Sequence, residues 1–110
     1  MPIYAPAFNT TSARAKKTAV ESVNSPDVLE RVEDLDVNTW ELDHQDDGRH
    51  MGPMAEEFAA AFELGDGDDH IATVDADGVA LAAIQGLADR LDDENERLRN
   101  ELSEKDNRID

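Results

Sequence analysis

Ser12 and Lys17 are the two residues whose types and spacing could do covalent chemistry in this chain. A serine hydroxyl needs a base to become a nucleophile, and a lysine amine serves if it is held neutral beside it. A separation of five residues suits the pair, provided the chain turns between them. Spacing alone is a weak signal, since a serine and a lysine lie this close in most proteins. The histidines say less. His44, His50 and His70 fall in separate segments without metal-ligand spacing, and His44 and His70 read as solvated or core residues. Asp66-Gly67-Asp68-Asp69 and Asp75-Ala76-Asp77-Gly78 superficially resemble calcium loops, but neither has the twelve-residue ligand spacing that ends in glutamate. With 27 acidic residues in 110, such matches are expected by chance. There is no cysteine, so disulfides and thiolate sites are excluded. No metal and no cofactor is read from the sequence.

Charge narrows the partners. The net charge is −17, from 27 acidic and 10 basic residues, and only Lys16, Lys17 and Lys105 are lysines. Such a surface repels nucleic acid and anionic membranes. Disorder is a second reading of high net charge, but the chain is 39% hydrophobic and those residues are periodic, which predicts a fold. The third reading is the preferred one: an Asp-rich, Lys-poor composition resembles proteins of halophilic archaea. No apolar run reaches the length of a membrane span, and the N-terminus lacks the basic-then-apolar order of a signal peptide.

The elements that must position Ser12 and Lys17 follow in order. Residues 1–11 contain Pro2 and Pro6 with Ile3, Tyr4 and Phe8, and read as an extended arm or the end of something larger. Arg14, Lys16 and Lys17 then cluster in a short mixed segment. Ser25-Pro26-Asp27 predicts a helix start with Ser25 as N-cap, and Val28, Leu29, Val32 and Leu35 as the apolar face. Val37 to Leu42 alternates as a strand does, Asp46-Asp47-Gly48 supplies a turn, and Arg49 to Pro53 is its hairpin partner. Met54 to Leu64 predicts a second helix, with Met54, Phe58, Ala61 and Phe62 on one side and Gly65 as its stop. Ile71 to Val74 reads as a short strand, and Asp75 or Asp77 as the cap of a last, long helix.

That helix carries Ile84, Ala88, Leu91, Asn95, Leu98, Leu102, Lys105 and Ile109 in alternating steps of four and three. The 3.5-residue repeat is a coiled-coil seam, and a polar Asn95 on it fixes register and oligomer state. Arg90, Arg97 and Glu101 are spaced for pairing along its surface. The fold class expected is α+β and mostly helical: a small globular part with a short β-hairpin, carried on a long C-terminal helix that forms a coiled coil. The divisions are 1–11, 12–76 and 77–110.

The order of these motifs carries a resemblance. Ser12-Ala13-Arg14-Ala15-Lys16-Lys17 comes first, then the helix ending near Leu35 and the Val37 to Leu42 strand. Arg49-His50-Met51-Gly52-Pro53-Met54-Ala55-Glu56-Glu57-Phe58 follows, and then Val74-Asp75-Ala76-Asp77-Gly78 opening a run through Ile84-Gln85-Gly86-Leu87 into the coiled coil. Over roughly residues 12 to 105 this resembles the intramolecular chaperone auto-processing domain at the C-terminus of phage endosialidases and other tailspikes and tail fibres. The resemblance implies a homotrimer that helps an upstream tail fibre fold and then releases itself by autoproteolysis, as a self-cleaving serine endopeptidase. It implies a Ser12–Lys17 dyad, a scissile bond between Thr11 and Ser12, and His50 and Glu57 as accessory residues that build or orient the site. It also implies a viral tail fibre precursor assembled in the host cytoplasm, with the domain released from or retained on the virion. Combined with the composition, the host expected is a halophilic archaeon. Two departures from the family pattern stand out. Its usual acidic residue after the serine is Ala13 here, and its amide before Glu57 is Glu56. The first leaves a non-cleaving, permanent trimerisation module as the alternative, beside an unrelated coiled-coil adaptor. The seam alone permits dimers as well as trimers.

Overall fold

The computed structural model describes residues 12–44 and 46–108. The expectations for residues 1–11, Thr11 among them, and for Ile109 lie outside the described residues. Along the chain come one 3-10 turn (Arg14–Lys16), α1 (Ser25–Glu33), β1 (Asn38–Trp40), β2 (His50–Gly52), α2 (Ala55–Phe62) and α3 (Thr73–Arg108). The architecture is α+β and mostly helical, with a two-stranded antiparallel hairpin and a long C-terminal helix.

α1 starts one residue earlier than its sequence suggests. Asn24, not Ser25, is the N-cap: its side chain accepts a hydrogen bond from the Asp27 amide at 3.0 Å. Pro26 then sits in the first turn, where its missing N–H costs nothing, and Asp27 faces the positive end of the helix. α2 ends at Phe62 because Glu63 takes a left-handed conformation (φ 52°), two residues before the expected stop at Gly65 (φ 81°). The hairpin pairs Asn38 with Gly52, Thr39 with Met51 and Trp40 with His50. Gly48, at φ 87°, supplies the left-handed residue that its connection requires.

The strand expected at Ile71 to Val74 is not one. α3 already begins at Thr73, so Asp75 and Asp77 lie inside the helix, not at its cap. Among the described residues the sheet has only two strands, β1 and β2. A lone four-residue strand would leave its backbone groups without a ladder, whereas extending an existing helix adds one hydrogen bond per residue fixed. Helix propagation wins over the β-branched run.

α1 lies on the first half of α3. Leu29 is buried against α3 at Gly86, and Val79 and Ala83 of α3 and Phe58 of α2 are the other buried apolar side chains among the described residues. Gly86 is what lets the helices approach. A Cβ there would sit 2.8 Å from the carbonyl carbon of Ser25, nearer still to its oxygen, and 3.0 Å from the Cβ of Leu29. Polar contacts fasten the rest. Arg90 on α3 pairs with Glu33 at the end of α1 at 2.6 Å, so it reaches across to another helix. Arg31 pairs with Asp27 at 3.1 Å and also donates to the Ala61 carbonyl at the end of α2. These pairs are half exposed, so each contributes little; the helix approach rests on burial.

The core is thin. Among the described residues four apolar side chains are buried, whereas fourteen large apolar ones are exposed. The exposed group includes Leu81, Ile84, Leu91, Leu98 and Leu102 on α3. At about 3.6 residues per turn, Leu81 and Ile84 lie on the side of α3 away from Val79, Ala83 and Gly86, and Leu91, Leu98 and Leu102 follow further along the helix. One face of the helix is used by α1, and the seam face is free. Arg97 on the outside pairs with Glu94 at 2.8 Å and with Glu101 at 2.7 Å, as its i,i+4 spacing predicts.

Candidate functional site

The segment ahead of α1 brings Ser12 and Lys17 together. Ala13 is extended (φ −67°, ψ 139°), and the 3-10 turn follows it, closed by Lys16 N–H to the Ala13 carbonyl at 3.0 Å and Lys17 N–H to the Arg14 carbonyl at 3.1 Å. A 3-10 turn advances about three residues per revolution, so it folds Lys17 back towards the residue before the turn. The Lys17 Nζ donates to the Ser12 Oγ at 2.7 Å. The five-residue spacing is therefore bridged by one tight turn, the chain reversal it required.

Ser12 and Lys17, with Arg14 and Val20, line an open pocket of about 320 Å³. All four residues are exposed to solvent. Arg14 and Val20 were not singled out from sequence for this site: Val20 has no periodic partner along the arm, and only the turn brings it alongside. As the hydrogen bond stands, the Lys17 side chain donates and the Ser12 hydroxyl accepts. For Ser12 to be activated the same pair must reverse, with the hydroxyl donating to a neutral amine, and an amine is held neutral by removing water from around it. Among the described residues nothing supplies that burial.

His50 and Glu57 stand elsewhere. Among the described residues neither shares a hydrogen bond, ion pair or pocket with Ser12 or Lys17. His50 is on β2, its ring 5.2 Å from that of Trp40, its cross-strand partner. Its Nε2 is 3.0 Å from the Asp47 carboxylate but out of line for a hydrogen bond, and both it and the Trp40 Nε1 are enclosed without a hydrogen-bond partner. Glu57, in the first turn of α2, borders an open groove of about 480 Å³ with Arg31, Asp34 and Leu35.

His70 is an exposed loop residue held by two carboxylates: Nδ1 to Asp69 and Nε2 to Asp66, each at 2.7 Å. The hydrogen bonds from Asp69 and then Asp66 raise its pKa above the ordinary 6.5. In return, the His70 contact draws the Asp69 carboxyl below its usual value. His44, the third histidine, is exposed at φ 63°. Among the described residues no group of three or more His, Asp or Glu side chains could hold a metal ion. No described helix is long and apolar enough to cross a membrane.

A long helix with α1 packed on its first half, a hairpin and a short helix between the two in the chain, and a serine–lysine contact ahead of α1 define a helix-stalked domain with a candidate nucleophile at its entry. Residues 12–64 match the model of the peptidase family described as chaperone of endosialidase. The match begins at Ser12 itself and runs through α1, the hairpin and α2, so the resemblance read from the sequence is borne out over that segment. It supports an intramolecular chaperone role in general terms and a link to phage tail fibres. No curated protein and no solved structure was found to match the chain.

Proposed function

We propose that this chain is a tail fibre's intramolecular chaperone, which self-associates as a homotrimer through α3, assists folding of the upstream fibre, and then cuts the Thr11–Ser12 bond. The observation that carries the reading is the 2.7 Å contact between Lys17 Nζ and Ser12 Oγ at the first residue of the family match. Support for self-association comes from the free apolar seam of α3 and from a core too thin for a chain of this size.

In the proposed step the Ser12 Oγ attacks the carbonyl carbon of Thr11, and its proton passes to Lys17 Nζ. The C–N bond of the peptide breaks and the Ser12 nitrogen leaves as an amine, which takes a proton. An ester now joins the Thr11 carbonyl to the Ser12 Oγ. Water hydrolyses it, giving a Thr11 carboxylate and a free Ser12 hydroxyl. Lys17 takes the Ser12 proton, gives it to the departing Ser12 nitrogen and, neutral again, takes a proton from the water that attacks the ester. Its exposure in the single chain ties the chemistry to assembly, because only a packed neighbour or a folded client removes its water. His50 and Glu57 would then serve the hairpin and the groove beside α2. The acidic, lysine-poor composition suits a virus of a salt-adapted archaeal host.

The test is the intact mass of the chain fused to its natural upstream fibre, in multimolar salt, beside Ser12→Ala and Lys17→Gln. Scission at Thr11–Ser12 that both variants abolish is the expected result. An uncut wild type that still assembles would make this a permanent trimerisation module, with Ala13 as the departure to revert to aspartate first.

A further inference from the structure

The segment that carries Ser12 is chemically the opposite of the body it precedes. Between Ser12 and Asn24 there are three cations, Arg14, Lys16 and Lys17, and one acid, Glu21, in a chain of net charge −17. Every residue of this arm is exposed, and Val20 and Val23 are 60% and 63% exposed. An arm with both charge and apolar side chains turned to water is a segment without its binding surface.

A surface of the complementary kind lies between the hairpin, the start of α2 and the loop before α3. It is an open groove of about 500 Å³ with Trp40, Leu42, Met54 and Ile71 as apolar walls and Glu41 and Glu56 among its acids. His70 also borders it, but its charge is taken up by Asp66 and Asp69. Among the described residues Glu41 has only a loose partner, Arg49 at 3.9 Å, both about 60% exposed. Glu56 has no ion-pair partner among the described residues. Acids beside an indole suit a basic side chain: the cation stacks on the ring or pairs with the carboxylate, and its methylene stem lies along the apolar wall.

We propose that this groove binds the Arg14–Val20 segment of a second copy of the chain, Arg14 and Lys16 meeting Glu41 and Glu56 while Lys17 stays with Ser12. The second copy, not the chain's own arm, is the occupant, because among the described residues of the single chain the arm lies exposed and the groove is open. The inference rests on the self-association proposed above but not on cleavage. Its consequence is that each copy's Ser12–Lys17 turn is held by its neighbour.

Trp40 is the chain's one tryptophan, so its emission reports the groove directly. The experiment uses the whole chain carrying Ser12→Ala, in a series rising to multimolar salt and read at the lowest salt at which it associates, since exposed charge pairs are screened as salt rises. Sedimentation reports association independently. On association the emission should shift to the blue. Arg14→Glu with Lys16→Glu, and separately Glu41→Lys with Glu56→Lys, should each lose that shift while still associating. Mixing the two reversed chains should restore part of it, because an intact arm then meets an intact groove only between different molecules. A wild type that associates with unchanged emission overturns the docking alone, whereas one that does not associate overturns the proposed self-association as well. Reversed variants that keep the shift, or a mixture that fails to restore it, also overturn the docking.

Discussion

Two glycines of α3 should respond to the same substitution with opposite signs. At Gly78 an added Cβ meets nothing within 4 Å, so Gly78→Ala gains only helix propensity, about 0.8–1 kcal/mol. At Gly86 the same gain is opposed by a Cβ that would lie within 3 Å of the Ser25 backbone. Backbone cannot rotate out of the way as a side chain can, so α1 has to lift from α3. That movement loosens Leu29, one of the four apolar side chains buried among the described residues. Overpacking of this kind costs roughly 1–3 kcal/mol, and full burial of a leucine contributes roughly 1.5–3 kcal/mol. With the propensity gain set against overpacking and the loss of part of the leucine burial, Gly86→Ala should destabilise by about 1–2 kcal/mol.

For a domain of this size about 1 kcal/mol moves Tm by roughly 4–8 °C. Gly78→Ala should therefore raise Tm by a few degrees and Gly86→Ala lower it by a similar or larger amount. Thermal unfolding followed by circular dichroism, at one protein concentration and one salt concentration, reads both. Fixing the concentration matters because self-association shifts Tm by mass action. If both substitutions moved Tm in the same direction, the close approach of α1 to α3 at Gly86 would not be what holds this fold together.

Two further outcomes follow from the local geometry. Asn24→Ala removes the side chain that caps α1 and should cost about 1 kcal/mol, with Ser25→Ala costing clearly less; equal losses in a denaturant titration would return the cap to Ser25. His70 is protonated more readily in the folded chain than in the unfolded one, so its link to Asp66 and Asp69 is fully present below the ordinary value of 6.5 and is lost as pH rises through the raised one. In an NMR titration Asp66→Asn and Asp69→Asn should each move the His70 midpoint down towards 6.5, and an unmoved midpoint in both would mean that the link does not form in solution. The exposed position makes this a local effect on the loop before α3, which added salt should weaken.

The long helix, both short ones and the hairpin were legible because each has a periodic signal with a physical cause. Leu29 and Phe58 fell on the predicted apolar faces and are buried. Boundaries were less legible where two residues compete for one role. Asn24 and Ser25 are both good caps, and only the chain's path decides which oxygen meets the Asp27 amide. Glu63 ends α2 in a conformation that sequence would assign to Gly65. The run Ile71 to Val74 has strand composition, yet no third strand lies beside the described hairpin to pair with it. Gly86 gave no hint of its purpose, since a glycine within a helical pattern reads as a weakness until another backbone is found against it. As for the candidate site, the spacing of Ser12 and Lys17 raised the question of a turn, and the 3-10 turn is a tertiary-independent answer that no periodicity signals.

Thin core, free seam and exposed dyad together explain how a cut can be delayed on the proposed reading. A lone chain buries few apolar side chains, so the proposed assembly adds to its stability. The same assembly is the proposed means of taking water from Lys17, whose amine otherwise meets both solvent and a strongly acidic chain. Folding of the fibre and activation of Ser12 would then depend on one event, with no separate sensor. Net charge enters with the opposite sign: copies carrying −17 each repel, and counterions have to screen them before the seam can close. Cleavage should therefore rise with salt together with sedimentation, and Lys17→Arg, which keeps the positive charge but cannot be made neutral by burial, should assemble at the same salt and leave the chain uncut. A Lys17→Arg chain that cuts as fast as the wild type would separate the chemistry from desolvation of the amine.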